Sequence, residues 1–241
     1  MLIGRKHQIF KRCQRELGIV ESTFDRSQVR MERQGNGADL ILVTHKGDQP
    51  LDAYLKWIDV CVQSGISAVQ LREKNLSDQA LYQFGQALKA TLDLTNTPLI
   101  INDNVDLCLK LDAAGVHLGQ SDGDPIQAKD RLGADKIIGL SVDTMDQLQK
   151  ANMLELDYIG VGAIFPTQSK PDVKTIWGLD GLKQAVLNSL HRVIAIGGIH
   201  QNNALAVLQT GVSGIAAIRA FHDVNAWFFI NDLIKHRGVR L

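Results

Sequence analysis

Apolar and polar positions along this chain keep two alternating rhythms. Short apolar runs, bounded by Gly, Pro or polar residues, read as buried strands. After each run apolar residues recur at three- and four-residue intervals, the pattern of a helix with one buried face. Leu40–Val43 is the first run, and Gly47–Pro50 breaks the chain after it. Leu51, Leu55, Ile58 and Val62 then mark an amphipathic helix that stops at Gly65. Ala68–Leu71 is the next strand, with Leu81, Phe84 and Leu88 on the helix behind it. Leu99–Ile101 follows Pro98, and Val105, Cys108 and Leu109 lead the next helix to Gly115. Val116–Leu118 is a short strand; Pro125 opens a helix and Gly133 lies near its end. Lys136–Leu140 precedes a helix carrying Met145 and Leu148, and Tyr158–Val161 is the sixth strand. A polar loop from Pro166 to Gly178 leads to a helix through Leu182, Ala185 and Val186. Val193–Ile196 ends in Gly197–Gly198, before a helix with Ala204, Val207 and Leu208. Ile215–Ile218 is the last strand, and Val224, Trp227 and Phe228 begin the last helix.

Strand then helix, repeated about eight times, predicts an α/β fold of the (β/α)8 TIM-barrel type, parallel strands closed into a barrel with helices outside. Short strands rich in Val, Ile and Leu suit a sheet buried on both faces. A doubly wound open sheet has the same rhythm, and periodicity does not separate the two. Residues 1–37 stand apart. Arg5, Lys6, Lys11, Arg12, Arg15, Arg26, Arg30 and Arg33 outnumber the acids there, and the segment exits through Gln34–Gly35–Asn36–Gly37. The expectation is a basic, poorly ordered amino-terminal extension followed by one barrel domain, residues 38–241.

Composition narrows the partners. The 26 Lys and Arg balance 26 Asp and Glu, so there is no basic field for nucleic acid or an anionic membrane. No apolar run reaches transmembrane length, and no signal-peptide pattern opens the chain. Cys13, Cys61 and Cys108 are scattered without a C-x-x-C pair, which fits a reducing, cytoplasmic setting. Oligomeric state stays open, a homo-oligomer included.

Polar residues at the strand ends of a barrel converge on one mouth. Here they are Gln70, Arg72, Glu73 and Lys74; Asn102 and Asp103; His117, Gln120 and Asp122; Ser141 and Asp143; Thr167, Gln168, Ser169 and Lys170; Gly197 and Gly198; and Arg219. Asp103 and Asp122 can share a hard cation such as Mg²⁺, which is commonly held by one or two carboxylates plus substrate phosphate oxygens. Arg72, Lys74 and Lys170 beside such a pair suggest a polyanion, and pyrophosphate fits best. Gly197–Gly198 and the Ile218–Arg219 backbone occupy the recurrent phosphate position of barrels. Each feature also has a plain structural alternative. Asn102 is then a turn residue, Asp103 a helix N-cap, and Gly197–Gly198 only a turn. Arg72 and Glu73 form a rim ion pair, Lys170 is solvated, and His117 is a satisfied near-core histidine.

The same residues resemble the thiamine phosphate synthase family. Gln70–Leu71–Arg72–Glu73–Lys74 resembles its Q-x-R-E-K segment, and Ile101–Asn102–Asp103 with Val105–Asp106 its I-N-D-x-x-D/E segment. Gly115–Val116–His117–Leu118–Gly119–Gln120 with Asp122 resembles G-x-H-x-G-Q-x-D. Asp157–Gly162 and Ala195–Ile199 also match, so the similarity runs from about Ala38 to the last helix.

The resemblance implies joining of a pyrimidine diphosphate to a thiazole phosphate with release of pyrophosphate. It implies Mg²⁺ at Asp103 and Asp122, and the diphosphate held by Arg72, Lys74, Asn102 and Lys170. Gln70 and Ser141 lie near the pyrimidine, with Leu71 and Glu73 in the same substrate-binding segment. Thr167, Gln168, Ser169, Gly198, Ile218 and Arg219 take the thiazole phosphate. Arg72, Lys74, Lys170 and Ser141 are the expected catalytic set. The chain departs from the family at Ser121 (usually Glu), Ser169 (the second Thr of T-x-T-K, with the hydroxyl kept), Asp143 (usually His) and Arg219 (usually Ser). Two other readings are a thiazole tautomerase on the same barrel and a non-catalytic ligand-binding barrel.

Overall fold

Residues 39–168, 175–222 and 226–235 are described by a computed structural model. The basic extension lies outside them, as do Ser169, Lys170 and Val224. In chain order the elements are β1 (Asp39–Val43), α1 (Leu51–Gln63), β2 (Ala68–Leu71), α2 (Asp78–Asp93), β3 (Leu99–Asn102), α3 (Val105–Leu111), β4 (Gly115–Leu118) and α4 (Pro125–Leu132). They continue with β5 (Ile137–Val142), α5 (Met145–Ala151), β6 (Tyr158–Val161), α6 (Gly178–Asn188), β7 (Arg192–Ile196), α7 (Ala204–Leu208), β8 (Gly214–Ala217), α8 (Arg219–His222) and α9 (Ala226–Lys235).

Each strand pairs in parallel with its successor, and β1 pairs with β8 through Leu40↔Ile215 and Ile41↔Ala216. That last pairing closes the barrel and excludes the open sheet. The period-2 alternation of strands explains the two-part core. Leu40, Leu42, Val69 and Leu71 face outward and pack with helix residues such as Ile58, Phe84 and Leu88. Ile41, Val43, Ala68, Tyr158, Ile194 and Ala216 fill the barrel interior. Each fully buried Leu or Ile side chain is worth roughly 1.5–3 kcal/mol against exposure. At the amino-terminal end of the barrel Arg192 Nη2 pairs with Asp39 Oδ2 at 2.5 Å, tying β7 to β1.

The sequence-based boundaries hold to within one or two residues, with two informative differences. β5 runs on to Val142, so Ser141 lies within a strand rather than after it. β8 stops at Ala217, and a four-residue helix, α8, starts at Arg219, ahead of the helix the periodicity marks. One turn of helix is too short to show a period.

Candidate active site

The carboxyl ends of the strands open on one cavity of about 1420 Å³. Gln70, Arg72, Lys74, Asn102, Asp103, Asp122, Ser141, Thr167, Gln168, Gly198, Ile218 and Arg219 all line it. Among the described residues, two expected ones do not. Leu71 is only 2% exposed and packs in the outer core, because strand alternation turns it away from Gln70. Glu73 Oε1 accepts from the Lys46 backbone N–H at 2.7 Å, so it fastens the loop after β1 instead of pairing at the rim with Arg72. The Arg72 backbone N–H donates to Thr44 Oγ1 at 2.9 Å, with Thr44 fully buried.

The turn after β3 shows why Asp103 is available to a ligand. Asn104, not Asp103, caps α3: its side chain accepts from Leu107 N–H at 2.8 Å. Asp103 has φ +65°, in the left-handed region, and the Asn104 N–H donates back to Asn102 O at 2.8 Å across it. An i→i+2 turn with positive φ is the rare, strained form. The Asp103 N–H donates to His117 O at 2.8 Å, which anchors the turn on β4. With the cap supplied by its neighbour, the Asp103 carboxylate projects to the cavity beside Asn102, whose Nδ2 lies 2.5 Å from Oδ2.

Burial pushes the Asp103 carboxyl up to about 6, and the Asp122 carboxylate within hydrogen-bonding reach pushes the same way; Lys74 and Arg72 oppose it. Asp122 Oδ2 also accepts from Gly119 N–H at 2.9 Å. Two carboxylates thus share one end of the cavity with two cations. Among the described residues, three or more metal-capable side chains cluster nowhere.

The inner wall is a hydrogen-bonded polar network. His117 Nε2 lies 2.9 Å from Ser141 Oγ, and Nδ1 lies 2.9 Å from the Tyr158 hydroxyl. Gln70 hydrogen-bonds the same hydroxyl, whose pKa burial raises. His117 is therefore satisfied on both nitrogens and also faces the cavity. Gly139 makes room for Tyr158: a Cβ there would lie 2.3 Å from the ring. Gln120 Nε2 donates to Ser141 O at 2.6 Å. Asp143 lines the cavity, and its backbone N–H donates to Gln147 Oε1 at 2.6 Å.

The opposite end is built from backbone. Gly197 and Gly198 have φ +99° and +67°, and a Cβ on Gly198 would lie 2.7 Å from Phe165. Only glycine fits both demands. Asn203 Nδ2 holds Gly198 O at 3.0 Å. The turn so formed faces the cavity together with Ile218 and Arg219.

A family profile described as thiamine monophosphate synthase matches residues 40–221. The chain belongs to the thiamine monophosphate synthase family. It is 54% identical over 204 residues to the thiamine-phosphate synthase of Chlamydia abortus, covering 83% of this chain and 96% of that one. It is 52% identical over 186 residues to that of Chlamydia caviae, covering 77% and 88%. Among solved structures, thiamine phosphate pyrophosphorylase from Pyrococcus furiosus superposes with a TM-score of 0.73 at 32% identity, covering 83% of this chain and 95% of that one. Membership of this family makes the chain an enzyme, a transferase of thiamine biosynthesis. No helix among the described residues is long and apolar enough to cross a membrane.

Residue-by-residue reading of the sequence missed Tyr158, Thr44 and Asn203 as parts of the site. Tyr158 sits in an apolar run, and only its alternation with outward-facing Ile159 signals that its hydroxyl enters the barrel.

Proposed function

We propose that the cavity joins 4-amino-2-methyl-5-(diphosphooxymethyl)pyrimidine to 4-methyl-5-(2-phosphooxyethyl)thiazole, giving thiamine phosphate and pyrophosphate. One observation carries this reading. A carboxylate pair flanked by Arg72 and Lys74 lies at one end of the cavity, and a glycine backbone turn at the other. The two ends suit two anionic groups of different kinds.

The carboxylate end fits Mg²⁺. Its donors are oxygens only; burial first, and then the neighbouring Asp122 carboxylate, raise the Asp103 pKa, and a divalent cation between the two carboxylates would offset both. A pair of carboxylates, rather than a full protein cage, suits an ion that keeps waters and takes phosphate oxygens. Asp103 and Asp122 would hold it, and when bound it would neutralise charge on the departing diphosphate.

The chain's own groups account for the rest. Arg72, Lys74 and Asn102 hold the diphosphate oxygens as the C–O bond to the pyrimidine methylene breaks and pyrophosphate leaves with its electron pair. Lys170, outside the described residues, is assigned here too by the family resemblance. Gln70 and Ser141, fixed by Tyr158 and His117, orient the aminopyrimidine while its ring stabilises the methylene cation. The Gly198 turn and the Ile218–Arg219 backbone, with Thr167, Gln168 and Ser169, hold the thiazole phosphate so that the ring nitrogen meets that cation. No strong base is needed; alignment and exclusion of water supply the rate. The scattered cysteines support a cytoplasmic setting.

Genetic complementation tests the reading. Expression in bacteria lacking their own thiamine-phosphate synthase restores growth without thiamine, and the Asp103→Ala, Asp122→Ala double variant does not. Growth failure with soluble wild-type protein speaks for a tautomerase or a binding barrel.

A further inference from the structure

The loop after β8 is held from behind by a chain of hydrogen bonds outside the residues that the family resemblance names. Tyr54, on α1, is fully buried, and its hydroxyl lies 2.6 Å from His222 Nε2. The other ring nitrogen, Nδ1, lies 2.5 Å from the Ile218 carbonyl oxygen. The His45 backbone N–H, in the loop after β1, donates to the Tyr54 oxygen at 2.9 Å. Proton positions follow from the partners. A carbonyl only accepts, so Nδ1 carries the hydrogen. Nε2 of the neutral ring then presents a lone pair, and Tyr54 donates to it. The Tyr54 and His222 rings stack with centroids 5.6 Å apart and 12° between planes, and the His45 ring stands edge-on to His222 at 6.5 Å.

Burial lowers the His222 pKa against the raising effect of the Ile218 carbonyl, and His45 lowers it further, which keeps the ring neutral. Glu73 and Cys61 are the other titratable groups near Tyr54. The geometry has a consequence one peptide away. The unit joining Ile218 to Arg219 is planar and trans, so its C=O and its N–H point in opposite directions. His222 grips the C=O. The Arg219 N–H is thereby set as well, in a segment where both Ile218 and Arg219 line the cavity.

We propose that Tyr54 and His222 are positioning residues for the thiazole phosphate: they fix the Ile218–Arg219 peptide whose N–H meets it. This rests on the phosphate reading given above. It also joins the loop after β1, through His45, to the loop after β8, so a residue on the first helix acts on a ligand held by the last strand.

The test is steady-state kinetics on the full chain, with calorimetric titration of the thiazole phosphate alone. Tyr54→Phe and His222→Leu raise KM for the thiazole phosphate about three- to tenfold, the effect of one lost hydrogen bond, with kcat and the pyrimidine diphosphate KM within about twofold. His222→Asn keeps an N–H near the Nδ1 position and recovers at least half of the loss on a logarithmic scale. Equal rises in both KM values, or a loss confined to kcat, overturn the proposal. If His222→Leu does not fold, Tyr54→Phe, which removes one oxygen atom, decides. The titration separates the two readings. Wild type that binds no thiazole phosphate refutes the phosphate site itself. Wild type and Tyr54→Phe that bind it equally refute only the positioning.

Discussion

Arg219 Nη1 donates to Gln168 Oε1 at 3.0 Å, so the segment after β8 is tied to the loop after β6 across the cavity mouth. Both side chains line the cavity, and Arg219 is one of the positions at which the sequence departs from the family pattern it resembles. The guanidinium has further N–H groups beyond the one given to Gln168, and a phosphate is a strong partner for them. Arg219→Ser is expected to raise KM for the thiazole phosphate several-fold, about 1–2 kcal/mol of binding, and to leave the pyrimidine diphosphate KM unchanged. Gln168→Ala breaks the tie but spares the guanidinium, so its effect is smaller. Equal effects of the two variants mean that the tie, not a phosphate contact, is the role of Arg219.

Asp103 combines strain with burial, and both act against stability. Asp103→Gly relieves the positive φ and removes the desolvated carboxyl. Its melting temperature rises, consistent with about 1 kcal/mol of recovered backbone strain. Its Mg²⁺-dependent activity falls at least about 100-fold, as does that of Asp122→Ala. Thermal melts and initial rates of the two variants check this together. A variant that keeps wild-type turnover removes its carboxylate from the site.

This turn also marks where sequence reading stops. The barrel was legible because short apolar runs such as Leu99–Ile101 and Val193–Ile196 end abruptly in Asn-Asp or Gly-Gly. Which of Asp103 and Asn104 caps the helix was not, because both residue types cap well and only the backbone conformation decides. The outward placement of the Leu71 side chain was not legible in the motif either: a motif names consecutive residues, while a strand sends alternate ones to opposite faces. The Tyr54–His222 contact joins positions 168 residues apart, and closure of the barrel alone brings them together.

His222 gives the stability a defined pH dependence. Its pKa in the folded chain is below its ordinary value of 6.5, so the unfolded chain binds the proton more readily. Its contribution is complete above that value and is lost as pH falls through it toward the folded pKa. Urea unfolding of wild type is expected to weaken relative to His222→Asn below this point, by no more than about 1.4 kcal/mol per pH unit. A wild-type advantage over His222→Asn that grows as pH falls has the wrong sign for a neutral, buried His222.

The amino-terminal extension is expected to be dispensable. β1 begins at Asp39, and the family match begins at residue 40. A chain starting at Ala38 should melt within about 2 °C of the full chain and keep its activity, as for a terminus that makes few packing contacts. Aggregation or a large drop in melting temperature would make residues 1–37 part of the domain.

The most direct measurement of the central claim is product formation by the purified chain. Both substrates are supplied with Mg²⁺, and thiamine phosphate and pyrophosphate are quantified in the same samples. The account predicts the two products in equal amounts, neither without both substrates, and loss of both on chelation of the metal. Pyrophosphate released without thiamine phosphate, or isomerisation of the thiazole phosphate alone, would contradict it.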